Sequence, residues 1–257
     1  MKILVFTKEV PDTYGTRALD LHTGLVDRAG GDRVLDEIGE RALEAALALR
    51  DAGREVEIVV VTMGPDEVAA SVRKALAMGA DRAIHVSDQE LVGADLATTA
   101  QVLAAVARRE NPDLAIFGNV STDGAGGVIP VMVAEHLGVG ALTALTTLNL
   151  DGAEVRGLRV ADGAAADVRA ALPAVVSITE AFPEARFPNF KGIMAAKKKP
   201  YEQFALADLD LAVRIDEPRT ILVAVAQKPA RTQGTIVVDA GDGGEQLAQF
   251  LLSKKLV

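Results

Sequence analysis

The sequence predicts an α/β protein: an open, mostly parallel, doubly wound sheet with an antiparallel hairpin extension and a C-terminal arm. Three observations carry that reading. Short apolar runs at residues 3–7, 57–62, 83–86 and 113–117 alternate with helical patterns, the rhythm of right-handed βαβ crossovers. The runs are continuous and rich in Val and Ile, as strands covered on both faces are. Beyond residue 140 the rhythm changes to segments at 146–150, 154–160 and 167–172, separated by Asp151-Gly152 and Asp162-Gly163. Asp-Gly pairs supply the turn geometry of antiparallel hairpins.

The helices follow from period and punctuation. From Asp36, the positions of Ala42, Leu43, Ala46, Leu47 and Leu49 give one apolar face until Gly53 stops the helix. Asp66 opens a second helix with Val68, Val72, Ala75 and Leu76 facing inward, closed by Met78-Gly79-Ala80. A third spans 93–109 and ends at Asn111-Pro112; a fourth spans 128–138 with a terminal glycine. Residues 173–178 read as a further buried strand, and 179–200 as irregular. Residues 8–33 are a long polar stretch, and loops of that length inside a domain are usually functional. The expected division is a domain over 1–200 and an arm over 201–257, the arm ending in an amphipathic helix at 245–255.

Composition narrows the function classes. The chain has 257 residues and a net charge of -9, which disfavours nonspecific nucleic-acid binding driven by clustered basic residues. It has no cysteine and 3 histidines, His22, His85 and His136, in no metal-ligand spacing. No apolar run approaches the ~18 residues of a membrane span, and residues 1–6 are too short for a signal core. The expectation is a soluble, cytoplasmic protein.

The stretch of greatest chemical interest is Gly118, Asn119, Val120, Ser121, Thr122, Asp123, Gly124, Ala125, Gly126 and Gly127. A strand precedes it and a helix follows, so free N–H groups and a positive helix end point toward any anion there. An ordinary glycine-rich βα loop fits the same residues. With strand order 3-2-1-4-5, the loop faces the segment after Thr7 across the point where strand order reverses, where ligands of open α/β sheets sit. Lys8 and Asp12 then either touch a ligand or form a solvated loop. Met63, in Thr62-Met63-Gly64-Pro65, is either an apolar wall for a purine or part of a tight turn. Asp123 accepts from a ribose hydroxyl or caps its own loop. No nucleophile-base pair and no P-loop lysine motif accompanies these residues, which disfavours a hydrolase or phosphotransferase. Residues 186–199 set Phe187, Phe190, Ile193 and Met194 beside Lys197, Lys198 and Lys199: a solvated basic turn, or an apolar anchor rimmed by charge for a transient protein contact.

Several stretches together resemble one family. The runs at 8–12, 74–86 (Lys-Ala-Leu-Ala-Met-Gly-Ala-Asp-Arg-Ala-Ile-His-Val), 121–124, 172–176 and 190–199 (Phe-Lys-Gly-Ile-Met-Ala-Ala-Lys-Lys-Lys) are similar, in order and spacing, to the β subunit of electron transfer flavoprotein. The resemblance runs the length of the chain. It implies a fold of the adenine-nucleotide α-hydrolase type, a heterodimer with an α subunit that the arm wraps, and no substrate turnover of its own. FAD is then held mainly by α and AMP, structurally, by β. Electrons pass from acyl-CoA and related flavin dehydrogenases to a quinone-linked oxidoreductase. By position, the AMP site falls on Phe6, Lys8, Asp36, Ile38, Gly39, Met63 and the loop from Gly118 to Val128. Thr13 and Ile38 fall nearest the flavin. The docking anchor, usually leucine, falls on Phe190, with Phe187, Ile193, Met194 and Lys197 to Lys199 around it. Two departures stand out: Asp36-Glu37 where many members have Asn-Pro, and Val128 where they have Gln. A carboxylate at 36 would repel a phosphate unless it points away. Two other readings stay open: an electron-bifurcating type with a second FAD in this subunit, and a stand-alone adenine-nucleotide module.

Overall fold

The computed structural model describes residues 1–28, 30–209, 220, 222–231, 234 and 236–257. In chain order, β1 (Lys2–Thr7), β2 (Glu9–Pro11) and β3 (Arg33–Leu35) lead into α1 (Glu37–Asp51). Then come β4 (Glu57–Met63), α2 (Ala69–Met78), β5 (Arg82–Val86), α3 (Leu96–Glu110), β6 (Leu114–Gly118) and α4 (Ile129–Leu137). The extension holds β7 (Gly140–Leu145), β8 (Asn149–Asp151), β9 (Glu154–Ala161), β10 (Ala164–Ala171) and β11 (Ala174–Ile178). It is followed by α5 (Phe190–Ala196) and β12 (Tyr201–Phe204), and much later by α6 (Gly243–Ser253).

The main sheet runs β10-β9-β7-β11-β6-β1-β4-β5-β12, with β8 on β9. Its heart, β11-β6-β1-β4-β5, is parallel throughout and has the expected 3-2-1-4-5 order. Alternate residues of each strand enter opposite cores. Ile3, Val5, Ile58, Val60, Leu114 and Ile116 pack against α1 and α2. Leu4, Phe6, Val59, Val61, Ala115 and Phe117 pack against α3 and α4. Both faces are covered, so the strands need no polar side, and each fully buried Leu or Ile contributes about 1.5–3 kcal/mol. The asparagine and glycine stops of α3 and α4 act as expected, whereas α3 opens after Asp95 and not at residue 93. The Asp95 carboxylate accepts from Thr98 N–H at 2.8 Å to open α3, left-handed Asn111 ends it, and left-handed Gly138 ends α4. The hairpin β9-β10 turns at Asp162-Gly163, both residues with positive φ, as a tight two-residue turn requires.

Five elements differ from the sequence expectation. The polar stretch after β1 carries a two-stranded antiparallel ribbon, β2 with β3. β7 lies parallel to β11, in a small-residue run that begins with glycine and shows no strand periodicity. The segment 179–200 is not irregular throughout, since Phe190–Ala196 is helical. Tyr201–Phe204, at the head of the segment read as an arm, extends the sheet beside β5. Its two central side chains are exposed polar groups, the composition of an edge strand rather than of a core one.

Contacts divide the chain into one unit over Met1–Val223 and another over Ala224–Val257. In the second, the Asp239 carboxylate accepts from the N–H groups of Gly241 and Gly243 at 2.8 and 2.9 Å, ahead of α6. Leu247 and Phe250 are exposed on α6. Residues 210–219 of the expected arm lie outside the described residues. Among the described residues, no helix is long and apolar enough to cross a membrane.

Candidate functional site

The order of strands reverses between β1 and β6, so their carboxyl ends open a crevice where Thr7-Lys8 faces Gly118. The first turn of α1 closes its base. Ile38 packs directly on Gly118, where a Cβ would stand 2.7 Å from two Ile38 carbons. Only glycine leaves room for that contact. Gly39 lies against Thr7 in the same way, though less tightly.

The loop leaving β6 is built on two carboxylates. That of Asp123 is 2% exposed and accepts from Lys8 Nζ at 2.7 Å and from Arg28 Nη2 at 2.7 Å. It also accepts from Gly124 N–H at 2.6 Å. Burial works against its charge, but Lys8, Arg28 and Ser121 outweigh burial and hold the carboxyl well below the usual range. Asp36, 1% exposed, reaches the base of the same loop. Its carboxylate accepts from Thr122 N–H at 2.9 Å and from the Thr122 hydroxyl at 3.3 Å. It has no cation beside it among the described residues. Burial pushes its pKa up, helped by the negative charge of Asp123 and only partly offset by Thr122. Arg17 donates to the Thr122 carbonyl.

Beyond Asp123 the loop turns outward. Ala125 and Gly127 take left-handed φ of 49° and 65°. Gly126, Gly127 and Val128 are exposed, and their N–H groups meet no acceptor among the described residues. α4 starts at Ile129 with no side-chain cap. Unpaired amides at a helix start can receive an anion, and in the same loop the partly exposed side chains of Lys8 and Arg28 meet Asp123. Lys8 carries three N–H donors and Arg28 five, so both keep donors free beyond Asp123.

The structure gathers most of the expected residues, each in its own manner. Lys8, Asp36, Ile38, Gly39 and the span from Gly118 to Val128 converge. Asn119 donates its backbone N–H to the Ile178 carbonyl, and its side-chain oxygen accepts from Val120 N–H. Phe6 is a core ring stacked on Phe117 at 4.1 Å, so its side chain faces the interior. Met63 packs against the core on the α3 and α4 side. Next to it, His85 Nε2–H donates to the Gly64 carbonyl at 2.8 Å, while Nδ1 accepts from the Tyr201 hydroxyl at 2.7 Å; the carbonyl, an acceptor only, sets that tautomer. Thr13 lies on an exposed turn beyond β2, after Asp12, whose carboxylate accepts from Tyr14 N–H. Arg17 and Arg28 escaped the sequence reading. Arg28 is 95 positions from Asp123, and no local pattern joins them.

A second cluster lies on α5. Phe187, Phe190, Ile193 and Met194 are 91%, 79%, 47% and 48% exposed. Lys197 and Lys198 are exposed beside them. Lys199 turns the other way, donating to the Leu76 and Ala80 carbonyls at the end of α2, and burial lowers its pKa.

Fold and crevice together define an open α/β protein with an anion-receptive loop at its switch point. Residues 23–209 match the family model of the electron transfer flavoprotein domain. Over 99% of both chains, the protein is 43% identical to the electron transfer flavoprotein subunit beta of Mycobacterium leprae. It is 41% identical to that of Mycobacterium tuberculosis strain H37Rv, again over 99% of each. Identity to the Bacillus subtilis subunit beta is 30%, over 98% of this chain and 96% of the other. The chain belongs to the electron transfer flavoprotein family, and its full-length similarity is to β subunits.

Proposed function

We propose that this chain is the β subunit of a heterodimeric electron carrier, holding AMP in the switch-point crevice. The carrying observation is the loop at 118–128: its outer amides meet no acceptor among the described residues, Lys8 and Arg28 hold the Asp123 carboxylate, and that of Asp36 is bound to Thr122. The Asp36 carboxylate, a potential source of repulsion, binds Thr122 and so supports the loop. The residues present fit a nucleotide phosphate. Gly126, Gly127 and Val128 would donate to it, Lys8 and Arg28 would neutralise it, and the part-exposed side of Met63 would border a base.

In this reading FAD lies mainly in an α subunit and supplies the one- and two-electron chemistry. The β chain contributes shape and docking. Its side of the flavin includes Thr13 and Ile38, and the Ala224–Val257 unit, rather than all of the segment after residue 200, serves as an arm along α. Phe187, Phe190, Ile193 and Met194, rimmed by Lys197 and Lys198, dock acyl-CoA and related flavin dehydrogenases. The electrons then leave to a quinone-linked oxidoreductase. The chain itself transforms no substrate.

Co-expression with an α subunit, followed by denaturation and mass identification of the released nucleotides, tests the proposal. One FAD and one AMP per heterodimer are expected. Two FAD would make it the bifurcating type, and a colourless monomer indifferent to α would overturn the carrier reading.

A further inference from the structure

We infer that Arg186 is a positioning residue for partner docking: it pins the Phe187–Phe190 stretch to α1 so that both rings are presented in one fixed place. This rests on the docking role proposed above and adds what sets the geometry of that surface.

Arg186 makes a two-pronged pair with Glu44, Nε to Oε2 at 2.8 Å and Nη2 to Oε1 at 2.7 Å. Its own backbone N–H reaches the same Oε2 at 3.0 Å. Nη2 also meets Asp51 Oδ2 at 2.7 Å. Glu44 is 15% exposed on its side chain, so the pair is sheltered on one side. A fork on a carboxylate fixes direction as well as distance, and the added main-chain bond fixes the backbone next to Phe187.

The neighbouring anchors show why this one matters. Upstream, Arg41 donates to the Phe182 carbonyl. Downstream, the Asn189 carboxamide oxygen caps α5 by accepting from Gly192 N–H at 2.8 Å. Gly192 itself lies so close to α2 that a Cβ would stand 2.3 Å from the Ala77 carbonyl oxygen. Arg186 divides the span between those anchors and stands directly before Phe187. Side chains as exposed as Phe187 and Phe190 receive little packing from the body of the protein. Their position comes from the backbone, and ordering that backbone only at the moment of contact would weaken docking.

The test uses the α–β heterodimer and an acyl-CoA dehydrogenase reduced by its acyl-CoA, with heterodimer concentration varied. Arg186→Gln should raise the apparent KM for the heterodimer roughly tenfold while kcat changes less than about twofold. Amide exchange should quicken over 187–196 and stay unchanged in β1 and β6. Glu44→Arg combined with Arg186→Glu should recover part of both losses. Phe190→Ala serves as the control for the docking role. If Phe190→Ala leaves KM unchanged, the underlying docking reading fails. If Phe190→Ala raises KM but Arg186→Gln does not, or if Arg186→Gln leaves exchange over 187–196 as in the parent, the positioning role of Arg186 is overturned and docking stands.

Discussion

The crevice and the α5 surface use opposite strategies to make a site. In the crevice, charged groups from residues 8, 28, 36 and 123 are drawn together by the fold, and the two carboxylates are almost wholly buried. On α5, apolar groups from one short stretch are left in water. Buried charge is expensive unless paired and hydrogen-bonded, so the crevice couples binding to stability. Exposed phenylalanines have little effect on folding free energy, so the proposed docking surface is separable from it. The difference teaches which variants should unfold the protein and which should only silence it.

The largest effect on stability should come from breaking the crevice. Asp123→Ala removes the shared acceptor of Lys8 and Arg28 and leaves Gly124 N–H without its partner. A loss of about 2–3 kcal/mol follows from stripping one partner from a buried ionic network. Urea unfolding checks it, and retained nucleotide should fall in parallel. If stability holds within ~0.5 kcal/mol, the network is ornamental to folding. Next in size is Gly118→Ala, whose methyl would press into Ile38 at 2.7 Å. Overpacking of this kind costs about 1–3 kcal/mol, and Ile38→Ala in the same chain should relieve part of it. Non-additivity in the double variant distinguishes a steric clash from a general weakening of β6.

The docking side should behave in the reverse sense. Phe190→Ala, at 79% exposure, should move the unfolding free energy by less than ~0.5 kcal/mol. Electron uptake from a reduced dehydrogenase should nevertheless slow by an order of magnitude or more, the scale of a buried aromatic anchor at an interface. A variant that destabilised the chain as much as Asp123→Ala would erase the distinction between the two regions.

How much of this was legible in the sequence follows the same division. The parallel heart of the sheet could be read because buried strands announce themselves by composition, and the order 3-2-1-4-5 placed Lys8 opposite the 118–128 loop. The exposed apolar cluster was legible because Phe187, Phe190, Ile193 and Met194 are close in sequence and beside lysines. Arg28 was not, since its partner lies 95 positions away and a lone arginine in a polar loop carries no signal. Nor was Lys199, the third of three lysines, whose ammonium caps α2 because the chain turns back toward β12. β12 lacked the periodicity that marks a strand because an edge position tolerates polar residues, and β7, between β9 and β11, is a short run of small residues that alternates in no clear pattern.

Asp36 gives the smallest effect and the sharpest test within the crevice itself, because its pH dependence runs opposite to that of Asp123. The folded protein raises the pKa of Asp36, chiefly by burial, so between its ordinary value of 3.8 and the raised one the native state binds more protons than the unfolded state. Stability from this group is therefore fully present below 3.8 and is lost as pH rises through the folded pKa. For Asp123 the folded pKa is depressed, so its contribution is present above 3.8 and lost as pH falls toward the folded pKa. Asp36→Asn keeps an acceptor for Thr122 N–H and removes the charge. Measured between pH 4 and 7, the stability of Asp36→Asn relative to the parent should rise with pH and then level off, whereas that of Asp123→Asn should already be level at a deficit. A relative stability of Asp36→Asn that stays flat across the range would mean that Asp36 ionises in the fold as easily as in water. Burial beside Asp123 would then have no hold on it.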